Sequence, residues 1–162
     1  MIGALLHLTS LPIGVRYAFL EDVEEMAVKG QRFFDATILK NYLDYDVPSM
    51  IKTIGRLVSE DGAVAFCWEQ DGQIVGGIGG MLTPMYFNEN EIAAQQLFFF
   101  VLPEYRNLKS LRLLQAWEQW ATHHGAKVIW SGAKMDDHYQ GMQTMMARRG
   151  YAPLETVFIR EV

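Results

Sequence analysis

The sequence has a single cysteine, Cys67, so no disulfide can form within the chain. That scarcity fits a reducing compartment, and the cytoplasm is the expected location. No run of about 18 apolar residues occurs, so no membrane-spanning helix is expected. Residues 1–12 are apolar but carry neither Lys nor Arg, and read as a folded or loosely packed terminus rather than a signal peptide. Positive charge is in deficit: 14 Lys and Arg stand against 19 Asp and Glu, a formal net charge of −5. This balance argues against a general nucleic-acid or anionic-membrane binder. No Cys, Asp or further His stands at ligand spacing from His123 and His124, so no metal site is expected. Repeats, linkers and low-complexity stretches are also missing, which makes 1–162 one domain. Glycine is absent from the whole stretch between Gly80 and Gly125.

What is present is ordinary for a globular chain. Half of the 162 residues are hydrophobic and 20% are charged, enough for a substantial core. Ile13 to Phe19 alternates as a strand does. Glu21 and Asp22 open a helix with Val23, Met26, Ala27, Gly30 and Phe33 or Phe34 on its buried face. Residues 35–47 read as irregular, and Pro48 to Ser59 as a second helix. Ala63 to Trp68 and Gln73 to Leu82 read as strands joined by the hairpin signal Gln70-Asp71-Gly72. Gly76, Gly77, Gly79 and Gly80 inside the second strand call for a bulge, a bend or a close approach.

Ile92 to Leu102 reads as a strand buried on both faces, ended by Pro103. From about Leu108 the spacing becomes helical as far as His124, with Gly125 as C-terminal cap. The start of that helix gathers Arg106, Lys109 and Arg112, a candidate anion site. Lys127 to Gly132 is a short strand, Asp136 or Asp137 caps a helix to Arg149, and Tyr151 to Val162 reads as a final strand. The expected class is α/β with a mixed sheet.

The phrase Val101-Leu102-Pro103-Glu104-Tyr105-Arg106 and the helix after it resemble the GNAT acetyltransferases, acyl-coenzyme A dependent N-acyl transferases. Met146-Ala147-Arg148-Arg149-Gly150-Tyr151-Ala152-Pro153-Leu154-Glu155 is similar to that family's closing helix and last hairpin. Pro84-Met85-Tyr86-Phe87 and Ala116-Trp117-Glu118-Gln119-Trp120-Ala121 look most like divergent members encoded by bacteriophages. The resemblance runs from about Ile13 to Val162. It implies a mostly antiparallel sheet of six to seven strands with helices on both faces. It also implies acetyl-coenzyme A as cosubstrate and a small-molecule or protein amine as acceptor. On this pattern the pantetheine arm would lie along Phe99, Phe100 and Val101. The pyrophosphate would face Arg106, Asn107, Leu108, Lys109, Ser110, Leu111 and Arg112.

The turn departs from the family pattern, because Lys109 and Leu111 stand where two small residues belong. Two accounts stay open. Arg106, Lys109 and Arg112 replace fit by charge, with Asn107 free to turn left-handed; or coenzyme A is no longer bound and the chain is a catalytically silent binding or virion-associated protein. The family's strand carboxylate falls at Gln95 or Gln96, and its proton-donating Tyr at Met146. Gln96 is then the choice for orienting substrate or water, and Tyr139 or His138 for acid chemistry. Phe33, Phe34, Tyr42 and Tyr45 would form the acceptor-site lip. An apolar N-terminal segment and the final strand each offer a dimer contact.

Overall fold

Asp71 and Gly72 both take positive φ (52° and 74°), the twist a two-residue hairpin needs. They join strand β2 (Ala63–Gln70) to β3 (Gln73–Met85), as the sequence indicates. The computed structural model describes residues 8–132 and 139–162. Its other strands are β1 (Val15–Tyr17), β4 (Asn88–Val101) and β5 (Val128–Trp130). They form one sheet in the order β1-β2-β3-β4-β5, antiparallel except for the parallel β4–β5 pair.

Side-chain alternation sorts two cores onto the two faces of this sheet. Helix α1 (Val23–Phe34) and helix α2 (Val47–Ser59) cover one face, where Met26, Ile54, Leu57, Cys67 and Phe100 are buried. Helix α3 (Leu111–His123) covers the other, burying Leu113, Leu114, Trp117 and Trp120 against Phe66, Ile78, Ala94 and Val101. Helix α4 (Tyr139–Arg148) adds Met145 and Met146 to that second core. Gly125 ends α3's last turn at φ +76°, as expected of a cap.

The strand glycines answer to close approach. A Cβ on Gly80 would lie 2.2 Å from the Gln95 carbonyl oxygen, and one on Gly77 would lie 2.7 Å from the Met26 Cε. The register slips here, with Gly79 opposite Phe98 and Gly80 opposite Gln96, so Leu97 is an extra residue in a bulge.

Three expectations need correction. The sheet has five strands among the described residues, not six to seven. Residues 151–162 form no strand, and every residue from Ala152 on is exposed. A three-residue β5 offers few ladder bonds to a tail, and Pro153 has no N–H to give. The α-helix of the central stretch begins at Leu111, because Leu108–Ser110 is a tighter 3-10 turn. Within 35–47, Ile38–Asn41 forms another such turn.

Candidate functional site

The functional geometry begins where β4 and β5 part. Their register runs Ala93↔Val128, Ala94↔Ile129, Gln95↔Trp130 and stops. Beyond Gln95, β4 pairs only with β3. The Leu102 N–H donates to the Val75 carbonyl at 2.9 Å, and hydrogen-bonded pairs alternate along an antiparallel ladder. Phe98 and Phe100 therefore spend their backbone groups on β3. Phe99 and Val101 turn theirs to the opposite side, toward the gap. Of the expected pantetheine contacts, Phe99 and Val101 thus offer a free backbone edge, and Phe100 offers its neighbours' spacing and a buried ring.

Arg106 closes the far end of this edge. Its Nε donates to the Val101 carbonyl at 3.2 Å, and the side chain stays exposed. That contact leaves the N–H groups of Phe99 and Val101 for an acceptor-bearing ligand.

The turn after Arg106 works without glycine because no residue in it has positive φ. Asn107 is extended (φ −156°), which overturns the left-handed expectation. Its side chain accepts from the Lys109 N–H at 2.8 Å, and its carbonyl accepts from the Ser110 N–H at 3.0 Å and the Ser110 hydroxyl at 2.6 Å. The Leu111 N–H donates to the Leu108 and Lys109 carbonyls. The Lys109, Ser110 and Leu111 N–H groups, which a glycine turn would aim at phosphate, are therefore spent inside this one. Side-chain charge remains. Lys109 is exposed, and Arg112 lends one Nη to the Ile13 carbonyl at 3.2 Å. Glu104, nearby in sequence, is paired with Arg32 at 3.1 Å; its own backbone N–H first, and Arg32 second, hold its carboxyl below its usual range. The residues present thus fit an extended pantetheine amide along β4, and fit phosphate through cations rather than through a backbone cradle.

Gln96 lies opposite Gly80 on the α3 face of β4, half-buried, whereas Gln95 is exposed on the other face. Tyr139 opens α4 and its hydroxyl accepts from Gln143 Nε2 at 3.0 Å; no hydrogen bond joins it to Gln96. His138, with Asp136 and Asp137, lies outside the described residues. Met146 is packed into the α3-side core. Tyr45, expected at an acceptor lip, instead donates to the Ala27 carbonyl at 2.7 Å and packs on Phe34, and burial pushes its phenol up to about 12.

Two residues that the sequence reading passed over stand at the gap. Ser131 directly follows β5, so the register sets it opposite Gln96 at the first unpaired position. Tyr151 is half-buried beside Ser131 and Glu118, and that burial pushes its phenol up to about 12. The Ser131 and Tyr151 hydroxyl oxygens are buried without a well-formed hydrogen bond. Glu118 itself pairs with Arg149, whose Nε lies 2.9 Å from it. Nothing in the sequence flags Ser131, because its meaning depends on where β5 stops. Cys67 is fully buried, and burial pushes its thiol up to about 12, so it is no nucleophile. Among the described residues no group of three or more His, Cys, Asp and Glu could hold a metal, and no helix is long and apolar enough to cross a membrane.

The model of the acetyltransferase (GNAT) family matches residues 26–151. No curated protein matches by sequence. Solved structures match over most of their length. An aminoglycoside acetyltransferase from an uncultured soil metagenomic sample is 18% identical, with a TM-score of 0.66 over 91% of this chain and 97% of that one. A ribosomal-protein-alanine N-acetyltransferase from Brucella melitensis biovar Abortus 2308 is 14% identical, with a TM-score of 0.67 over 93% and 100%. The aminoglycoside N-acetyltransferase AAC(6')-Iy, solved in complex with CoA, is 16% identical, with a TM-score of 0.67 over 91% and 93%. At such identities the likeness is one of fold.

Proposed function

The chain belongs to the acetyltransferase (GNAT) family, and we propose that it transfers an acetyl group from acetyl-coenzyme A directly to a primary amine in the cytoplasm. The observation that carries this reading is the parting of β4 from β5, which leaves the Phe99 and Val101 edge free beside Arg106. Acetyl-coenzyme A supplies the acetyl group as an activated thioester. The Phe99 and Val101 backbone holds the pantetheine amides as a neighbouring strand would. Arg106 and Lys109, with Arg112 behind them, neutralise the phosphates, and residues 107–111 hold those side chains in place. Gln96 orients the amine or a water that takes its proton, since an amide is no base at neutral pH. Tyr139 is the proton donor toward the leaving sulfur, with His138 as its alternative. No carboxylate occupies Gln96's place, so solvent receives the amine's proton.

The acceptor is a small-molecule or a protein amine. Relatives named for aminoglycosides and for a ribosomal-protein alanine both act on amines, which supports the class without choosing between its members. A second reading, a catalytically silent binding or virion-associated protein, is favoured by one observation: Met146, half-buried against the core, stands where the resemblance puts the family's proton donor.

Calorimetric titration with acetyl-coenzyme A and coenzyme A separates the two. Transfer predicts micromolar binding that Arg106→Ala weakens about tenfold, or ~1.4 kcal/mol. Silence up to about millimolar concentration sinks the transferase reading and leaves the second.

A further inference from the structure

Among the described residues the Ser131 and Tyr151 hydroxyl oxygens are buried without a well-formed hydrogen bond, and they lie together. A buried hydroxyl left unpaired destabilises a fold, so two in contact call for a reason. Position supplies one. Ile129 faces the α3-side core, and Ser131, two residues on, faces the same way, opposite Gln96 where β4 and β5 part. Tyr151 stands beside it, next to Glu118 of α3. Burial first, and the Glu118 charge second, raise the Tyr151 phenol, while Ser131 lowers it by hydrogen bonding. The phenol oxygen is thus within reach of both neighbours and locked to neither. Glu118 in turn is paired with Arg149, whose Nε lies 2.9 Å away, and its side chain is 22% exposed. It lines a groove open to solvent, with Ser10, Gln115, Thr122 and His123. Three oxygen-bearing side chains therefore follow one another from the gap to that groove.

On the transferase reading, from which this inference proceeds, the acceptor amine must lose a proton beside Gln96, which is no base. We propose that Ser131, Tyr151 and Glu118 form a relay that carries this proton from the gap to the groove beside α3. The water that Gln96 orients takes the proton as the ammonium N–H bond breaks. It gives a proton to the Ser131 oxygen, Ser131 gives its own to the Tyr151 oxygen, and Tyr151 gives its own to Glu118. Both hydroxyls end as they began, the carboxylate gains one proton, and groove water removes it. Each hydroxyl donates and accepts at once, as a relay requires, and a carboxylate that accepts from Arg149 keeps lone pairs for a further donor. A carboxylate thus stands at the end of a path whose start has none.

Tyr151→Phe and Ser131→Ala each remove one link and no charge. Ethanolamine and an alanine-initiated peptide serve as probe amines. At about pH 7 either variant should lose at least about tenfold in kcat, with the KM for acetyl-coenzyme A unchanged. The double variant should lose no more than one of them, because a chain breaks once. Ser131→Thr, which restores the hydroxyl, should recover most of the rate. The loss should also shrink as pH rises from about 7 to about 10, where the amine arrives with its proton already gone. Ultraviolet difference titration, with Tyr151→Phe as the blank, needs no acceptor. Glu118→Gln removes a charge that raises the Tyr151 phenol and leaves Arg149, which lowers it, so Tyr151 should ionise at lower pH than in the unaltered chain. A titration indifferent to Glu118→Gln, losses that add in the double variant, or a loss constant with pH overturns the relay. Calorimetry with coenzyme A keeps the two readings apart. Binding retained beside any of these results sinks the relay alone, and no binding by the unaltered chain sinks the transferase reading and the relay with it.

Discussion

Asp22 shows how much one side chain can settle. It receives Arg16 through both oxygens, at 2.7 and 2.9 Å, and the Phe19 N–H at 2.8 Å, which ties β1 to the start of α1. Hydrogen bonding to Arg16 holds its carboxyl below the usual carboxylate range. A carboxyl depressed in the folded state adds stability above its unfolded value, and loses it as pH falls through the folded one. On the alkaline side, burial raises Cys67 from 9.0, and Tyr45 and Tyr151 from 10.0, all to about 12. Raised groups add stability below their unfolded values and lose it as pH rises through the folded ones. Denaturant unfolding across pH should therefore show stability falling below about pH 4 and again between about pH 9 and 12. Asp22→Asn should flatten the acid limb and lower stability at pH 7 by about 1–2 kcal/mol. Tyr151→Phe should flatten the alkaline limb and cost less than about 1 kcal/mol at pH 7, because the hydroxyl it removes has no well-formed partner. A steep acid limb in the Asn variant would show that the pair is not what titrates. The Phe66 and Trp68 neighbours of Cys67 in its strand are apolar, which agrees with its burial. The Asp22 cap was half legible: sequence gives an acid at a helix start but not an arginine six residues earlier pointing at it.

At the scale of elements, the hairpin, the central strand and both helix faces follow from periodicity and turn chemistry, and the structure has them where the pattern sets them. The turn at 106–111 shows where pattern fails. Missing glycines suggested either a lost site or a left-handed Asn107. The second is not what the chain uses; an extended Asn107 caps a 3-10 turn through its side chain, a choice that depends on ψ and not on composition. Restoring glycine should therefore gain nothing. Lys109→Gly removes a cation from a backbone with no positive φ to relieve, so coenzyme A should bind several-fold more weakly and the melting point should fall by a few degrees. Tighter binding would show that a glycine cradle was the missing part. The β3–β4 ribbon makes a second case. Beyond Leu82 and before Ile92 its strands pair only with each other, and Tyr86 at its tip is 94% exposed. A two-stranded ribbon alone is marginal in water, so amides 83–91 should exchange with solvent at least about a hundredfold faster than those of 74–80. Equal protection would mean that something covers the ribbon in solution.

For the whole molecule, the sequence foretold one mixed sheet between two helical layers, because strands alternate with helices in a known order. It misjudged the end of the sheet. Tyr151 to Val162 read as a strand, yet a strand needs an edge to pair with, and a three-residue β5 offers few ladder bonds. Charge distribution is the last whole-molecule property with a consequence. The net charge is −5, while Arg106, Lys109 and Arg112 gather at one end of the sheet and Glu104 beside them is engaged by Arg32. A polyanion such as DNA meets the acidic body as well as these cations, whereas a small phosphate-bearing ligand meets the cations alone. Raising salt from about 0.05 to 0.3 M shortens the screening length from about 14 to 6 Å. Coenzyme A affinity measured over that range should fall several-fold, and the Arg106→Ala variant should show a shallower slope because one of the charges is already gone. Lys109→Ala should do the same, while Asn107→Ala, which loosens the turn without changing its charge, should lower affinity and keep the slope. Binding that ignores salt would mean the free edge of Phe99 and Val101 holds the ligand alone, and that the cations at the helix start are no more than a solvated surface.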